Sequence, residues 1–261
     1  GGDEFVILLP KTSQESAEDI MSRIRVGFSN ARVEAIKCSI SLGCDTKISA
    51  DQSLEEIMAN AENAMYKDKV MNRQSINKDM IDTIVDTLHS RSPREKQHSI
   101  GVMELCGKIG SALKLSEPEI DKLKRAGYLH DIGKIILNEK ILSKEELTEE
   151  EMETMQQHSA VGFRILSLFD DKLDLAEYVY SHHERWDGKG YPRGLKGERI
   201  PLISRIIAVA ETYERVLNRG EETIEERKRT AVETIRSGAG TQFDPEIAAL
   251  FFEIMEDTGS I

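Results

Sequence analysis

Cysteine is scarce in this chain, with only Cys38, Cys44 and Cys106 among 261 residues. An odd, widely spaced set supports neither a disulfide framework nor a zinc pattern, so a reducing compartment and a cytoplasmic protein are expected. Positive charge is short as well. Thirty-five Lys and Arg against 47 Asp and Glu leave a net charge of −12, which excludes a nucleic-acid polymer as partner because such a partner needs a basic footprint. A small anionic ligand stays open if metal ions or a few local cations supply the positive field. No apolar stretch approaches the roughly 20 residues of a membrane span, so no membrane partner is expected for this chain. Internal repeats and low-complexity tracts are missing, and the opening residues carry no secretory signal pattern. A start at Gly1 rather than Met is expected to reflect Met removal or the loss of an upstream part.

What is present, 39% hydrophobic and 31% charged residues, fits a soluble globular protein long enough for one large or two ordinary domains. The two halves differ in texture. Residues 1–75 read as mixed α/β. Phe5–Leu9 is a continuous apolar run of the kind found in a covered strand, and Ile36, Cys38, Ile40 and Leu42 alternate with polar residues as a half-buried strand does. Thr12-Ser13-Gln14-Glu15 and Ser53-Leu54-Glu55-Glu56 have capping-box spacing, each ahead of an apolar stripe at helical period. From Ile76 onward the texture is helical. A connecting helix is expected over 76–92, and Ser92-Pro93-Arg94-Glu95 restarts the chain with an N-cap, a first-turn Pro and a capping-box Glu. Further helices are expected near 96–113, 117–130, 149–168, 172–184, 202–218, 223–236 and 245–256. The segment 184–201 is the one long Gly/Pro-rich interruption. Trp186 is read as packing that loop, Met152 and Met155 as core, and Cys106 as buried and inert.

Five of the six histidines fall within 93–261, at His98, His130, His158, His182 and His183, with Asp131 directly after His130. Imidazole and carboxylate together suit borderline divalent metals, and a carboxylate can bridge two cations where an imidazole cannot. "HDIGK" (130–134), "HHERWDGKGYPRGLKGERIPL" (182–202) and "GAGTQFDPEI" (238–247) resemble the HD-GYP family, whose members are metal-dependent phosphodiesterases of the bacterial messenger cyclic di-GMP. The resemblance implies metal ligands at His98, His130, Asp131, His158, His182, His183 and Glu211, with Asp131 as the bridging carboxylate. It implies that Lys134 holds a substrate phosphate oxygen, and that Gly190, Tyr191, Pro192 and, as a weaker candidate, Arg193 line the substrate cleft. The implied chemistry is attack on phosphorus by a hydroxide held between two cations, Fe or Mn, giving linear pGpG and, as a further candidate product, GMP. Two other readings stand beside it: a phosphohydrolase of another cyclic dinucleotide or nucleotide, and a catalytically weak cyclic di-GMP receptor.

The chain departs from that family at four places. Glu211 stands where Asp is usual, and Ser159 follows His158 where Pro is common. Arg94 occupies the position, one turn before His98, at which some members carry a ligand for a third metal, and Glu95 is expected to be committed to its capping box, so two metals are expected and not three. "NRGEETIEERKR" (218–229) looks shortened where the family carries substrate-binding arginines. At the other end, "GGDEF" (1–5), "CSISLG" (38–43) and "AENAMYKDK" (61–69) resemble the second half of the diguanylate cyclase family, in which the loop glycines admit GTP and the residue at Glu4 helps bind metal. With the first half of that domain missing, this part is expected to be non-catalytic. The expectation is therefore a mostly α protein: an all-helical HD-type bundle at 93–261, the connecting helix at 76–92, and a small, incomplete α/β domain at 1–75. A homodimer, an upstream sensor and other GGDEF proteins are the further candidate partners.

Overall fold

A computed structural model describes residues 4–30, 32–33, 36–37, 40–144, 146–169, 172–220 and 222–257. The chain divides into two compact units, Gly1–Met80 and Ile81–Ile261. In the first, helix α1 (Gln14–Asn30) is followed by strands β1 (Arg32–Val33) and β2 (Ile36–Lys37), and then by the start of helix α2 (Leu54–Arg91). The strands pair antiparallel, Arg32 opposite Lys37 and Val33 opposite Ile36. The N-cap of α1 is Ser13, one residue later than the capping-box spacing suggests, its hydroxyl accepting from Ser16 N–H at 3.3 Å. Ser53 caps α2 as expected, accepting from Glu56 N–H at 3.0 Å.

The expected strand at Phe5–Leu9 is not there. These residues lie outside regular structure and Phe5 is 87% exposed. A strand exists only where a neighbour takes its N–H and C=O groups, and among the described residues none does so. The second expected strand survives only as β2. Cys38 and Ser39 lie outside the described residues, and Leu42 turns its N–H onto Asp68 Oδ2 of α2 at 2.8 Å. Asp68 also pairs with Arg25 of α1 at 2.9 Å, so this member of the 61–69 motif is a structural tie. Gly1, Gly2 and Asp3 of the opening motif fall outside the described residues; Glu4 is exposed.

The capped helix at 54 and the connecting helix expected at 76–92 are one helix of 38 residues that runs across the boundary between the units. Its Ile81 and Val85 enter the main core of the second unit, and Leu88 joins a smaller cluster with Leu137, Ile141 and Leu142. The second unit is helical. It contains α3 (Pro93–Ala112), α4 (Glu117–Leu129), a 3-10 helix (Ile132–Ile136), α5 (Glu139–Ser143), α6 (Glu149–Ser167), α7 (Leu173–Tyr180), a 3-10 turn (Gly197–Arg199), α8 (Leu202–Leu217), α9 (Ile224–Gly238) and α10 (Pro245–Asp257). Ser116/Glu119, Thr148/Glu151 and Thr223/Glu226 form capping boxes that start α4, α6 and α9. Val102, Leu105, Leu123, Val179, Ile206, Val209 and Phe251 are among the residues of the one large core that α3, α4, α7, α8 and α10 share.

Periodicity anticipates these helices except two. The 3-10 helix and α5 are each five residues long, too short for an apolar stripe to register. Helix α7 stops at Tyr180, ahead of the expected end, so His182 and His183 follow it in a turn. Arg91, the last residue of α2, clamps the 3-10 segment by donating to Ile135 O at 2.9 Å and to Leu137 O. Trp186 is tied at its main chain, its backbone N–H donating to Gln242 O at 3.1 Å and its carbonyl accepting from Gly197 N–H at 3.0 Å within the loop, and the Arg205 guanidinium lies 5.7 Å from its ring. Of the two methionines read as core, Met155 packs on the smaller cluster while Met152 is exposed. Cys106 is fully buried, and burial pushes its thiol pKa up. No helix among the described residues is long and apolar enough to cross a membrane.

Candidate metal centre

Four helices deliver the histidines to one place and a fifth brings Glu211 beside them. His98 sits in α3, His130 caps the C-terminus of α4, His158 lies in α6, His182 and His183 follow α7, and Glu211 lies on α8. Gly133 permits the closest approach. A Cβ there would stand 1.9 Å from His158 O, so the turn that carries Asp131 presses directly on α6.

The imidazoles are oriented from behind. His130 Nδ1 meets Gly127 O at 2.7 Å, His158 Nδ1 meets Met155 O at 2.5 Å, and His182 Nδ1 meets Val179 O. Each carbonyl lies three residues earlier in the chain, on α4, α6 and α7 respectively. A carbonyl only accepts, so each Nδ1 carries the proton and each Nε2 keeps its lone pair for the centre. His98 differs: its Nδ1 is bonded to Glu214 Oε2 of α8, whose other oxygen accepts from Asn218 Nδ2 at 2.6 Å.

The free nitrogens converge. His158 Nε2 lies 3.2 Å from His182 Nε2 and 3.1 Å from His183 Nε2. Asp131 is set between two groups, with Oδ1 3.2 Å from His158 Nε2 and Oδ2 3.0 Å from His130 Nε2 and 3.6 Å from His98 Nε2. Two three-residue clusters result, His98/His130/Asp131 and His158/His182/His183, each with its ligand atoms within 4.8 Å of one another. Buried His130 Nε2 has no hydrogen-bond partner of ordinary geometry, while Asp131 Oδ2 also meets the Lys134 ammonium at 2.7 Å. Ligand atoms about 2.1 Å from one first-row cation stand about 3 to 3.4 Å apart, so lone pairs this closely gathered fit divalent cations. Glu211 lies at the edge, Oε2 3.7 Å from His183 Nδ1 and Oε1 3.2 Å from Arg215.

Charge follows the same division. Burial opposes ionisation of Asp131, yet His130 and then Lys134 hold its carboxyl well below the usual range. Burial likewise lowers the His130 pKa, and Asp131 overrides it and raises it. Burial depresses His158, His182 and His183, the last to about 3. These rings are therefore neutral and ready to ligate at neutral pH. Glu211 is buried but held ionised by His183 and Arg215.

A cleft of about 660 Å³ opens over the centre, lined by His98, Lys134, His158, His183, Tyr191, Glu211, Arg94, Arg215, Arg219 and Met152 among others. The Tyr191 ring stacks on His183 at 4.8 Å. Gly190 and Pro192 are not in the lining. Gly190 serves the turn itself, since a Cβ there would meet Arg185 N at 2.3 Å. Arg193 is turned away from the cleft: its guanidinium reaches Ser181 Oγ at 2.6 Å and Glu177 at 2.5 Å, over the Tyr180 ring. Buried Glu184 holds the same loop, accepting from Arg193 N–H at 2.7 Å and Leu195 N–H at 2.9 Å. Glu95 is the second departure from expectation. Its main-chain N–H takes the Ser92 cap, but its carboxylate leaves the capping box and meets Lys134 Nζ at 3.0 Å. Glu214, Glu184 and Glu95 were not legible as site residues. In a chain with 47 acidic residues only a buried partner sets a carboxylate apart; for Glu214 the helical spacing from Glu211 was the one available signal.

Residues 80–247 match the sequence model of the HD domain. The chain belongs to the HD domain family. Residues 1–75 match the model described as diguanylate cyclase, GGDEF domain. The chain is similar to a cyclic di-GMP phosphodiesterase of Thermotoga maritima, 38% identical over 170 residues that cover 64% of this chain and 46% of that protein. It is also similar to 3'3'-cGAMP-specific phosphodiesterase 2 of Vibrio cholerae, 30% identical over 179 residues, 67% of this chain and 34% of that protein. The chain thus spans half or less of the length of these relatives. Among solved structures, the HDG"Y"P protein Bd1817 of Bdellovibrio bacteriovorus shares the fold, with a TM-score of 0.53 at 15% identity over 77% of this chain and 67% of that one.

Proposed function

We propose that the helical unit is a metal-dependent phosphodiesterase that opens cyclic di-GMP to linear pGpG, with GMP as a further product. The observation that carries this reading is a set of imidazoles, three with Nδ1 tied back to main-chain carbonyls, in which the Nε2 atoms of His98, His130 and His158 face the two oxygens of Asp131 and those of His182 and His183 gather on His158. His98, His130 and Asp131 would hold one cation and His158, His182 and His183 another, with Glu211 beside the second; Fe or Mn suits this mixed donor set. Such cations, when bound, supply Lewis-acid polarisation of the phosphate and activation of water. The chain's own residues do the rest. Lys134 offers a fixed positive charge to a phosphate oxygen. Tyr191 closes one wall against His183. Arg94, Arg215 and Arg219 make the cleft cationic within a protein of net charge −12. Catalysis is assigned to 93–261, with 76–92 as the link and 1–75 as a non-catalytic regulatory or dimerising part. Scarce cysteine and a messenger substrate favour the cytoplasm.

A second reading keeps the site and changes the substrate, since one relative is named for 3'3'-cGAMP. The test is to purify the chain anaerobically, count its metals, and assay cyclic di-GMP hydrolysis with Fe(II) or Mn(II) beside His182→Ala. Turnover lost in the variant is the expected result. Absence of turnover under every metal loading, with the messenger still bound, would replace the enzyme by a receptor. Faster hydrolysis of 3'3'-cGAMP would establish the second reading.

A further inference from the structure

Lys134 is held more tightly than a phosphate-binding lysine needs to be. Its ammonium lies 2.7 Å from Asp131 Oδ2 and 3.0 Å from Glu95 Oε2, and its side chain is 14% exposed. Both carboxylates raise its pKa against the effect of burial, so it stays charged. Glu95 is itself buried, and nothing in the helix start requires its side chain: the Ser92 cap uses only its main-chain N–H. An ammonium has three N–H groups and a freely rotating stem. Held at two corners, it has one left, and Lys134 and Glu95 both line the cleft.

We propose that Glu95 is a positioning residue, which pins the Lys134 ammonium so that its remaining N–H faces the cleft for a phosphate oxygen. Without Glu95 the ammonium would rest on Asp131 alone. That carboxylate has one oxygen toward each histidine cluster, and a lysine drawn fully onto it would compete with the role of both. Glu95 removes the conflict by taking half of the charge pairing. Arg91 supports the geometry, because it fixes the carbonyls of Ile135 and Leu137 just beyond Lys134. Two other cations of the cleft, Lys144 with Glu151 and Arg215 with Glu211, are each paired with one carboxylate, whereas Lys134 is shared between two.

This inference rests on the phosphodiesterase reading, and it is tested by a measurement that does not need turnover. Inorganic phosphate is titrated calorimetrically into the metal-loaded full chain, its Glu95→Ala, Glu95→Gln and Lys134→Ala variants, and the Glu95→Ala/Lys134→Ala double variant, with bound metal counted in each. Lys134→Ala and Glu95→Ala should each weaken phosphate binding about tenfold or more, the value of one hydrogen bond to a charged group. The double variant should be no weaker than Lys134→Ala, and Glu95→Gln, which keeps an acceptor oxygen, should recover most of the affinity. Tighter phosphate binding in Glu95→Ala would make Glu95 a competitor and overturn the proposal. So would additive losses in the double variant, or one metal ion fewer in Glu95→Gln, which would make Glu95 a ligand. Failure of the phosphodiesterase reading shows separately, as wild-type protein that turns over no dinucleotide.

Discussion

Replacing Glu214 by Gln should weaken one metal position and spare the other. Glu214 is buried and both of its oxygens accept, Oε2 from His98 Nδ1 and Oε1 from Asn218 Nδ2 at 2.6 Å. An amide has one oxygen, so it satisfies one donor and confronts the other with its own N–H groups. The buried mismatch should cost about 1 to 3 kcal/mol of stability. Loss of the carboxylate behind His98 also removes the partner that fixes the ring's tautomer and orientation, a change that costs about 10- to 100-fold in metal affinity. His98 belongs to the His98/His130/Asp131 cluster only, so the His158/His182/His183 position should keep its affinity. Stepwise Mn(II) titration of the stripped protein reads the two positions separately. Asn218→Ala placed on Glu214→Gln removes the orphaned donor and should return part of the stability but not the affinity. Gly101→Ala is an independent route to the same place, because its methyl would lie 2.8 Å from Glu214 Cγ and displace that side chain. Equal weakening of both steps, or none, would refute the idea that Glu214 acts through His98.

Two further outcomes are expected. Gly133→Ala would put a methyl 1.9 Å from His158 O and 2.5 Å from Gly162 N, both backbone atoms; a loss of about 3 kcal/mol or more in urea unfolding should follow, and wild-type stability would refute the close-approach account. Metal-stripped protein should lose stability on acidification. His158, His182 and His183 have depressed pKa values, so their contribution is full above the ordinary imidazole value near 6.5 and is lost as pH falls from there, for His183 down to about 3. For His183 the cost approaches roughly 1.4 kcal/mol per pH unit between those values. The raised pKa of His130 has the opposite sign, stabilising below 6.5 and fading as pH rises through its folded value. With three against one, the urea midpoint should be lower at about pH 5.5 than at about pH 7. An unchanged or higher midpoint would contradict it.

The order of helices and the histidines and aspartate gathered at the candidate centre were legible because both depend on local sequence. Helix hydrogen bonds close within four residues, so periods and caps at Ser92, Ser116, Thr148 and Thr223 announce them. His130-Asp131 and His182-His183 carry their chemistry by adjacency. Local sequence therefore settles which residue types are available and beside which helices they lie. Tertiary structure decided what each one meets. Among the described residues it left Phe5–Leu9 without a strand partner, because strand hydrogen bonds need a partner from elsewhere in the chain. It turned Arg193 onto Ser181 and Glu177 and drew Glu95 from its cap to Lys134. It also placed Glu214 behind His98, 116 residues away in sequence. A carboxylate or guanidinium on a flexible stem takes the best-desolvated opposite charge within reach, and that reach is set only when the helices pack.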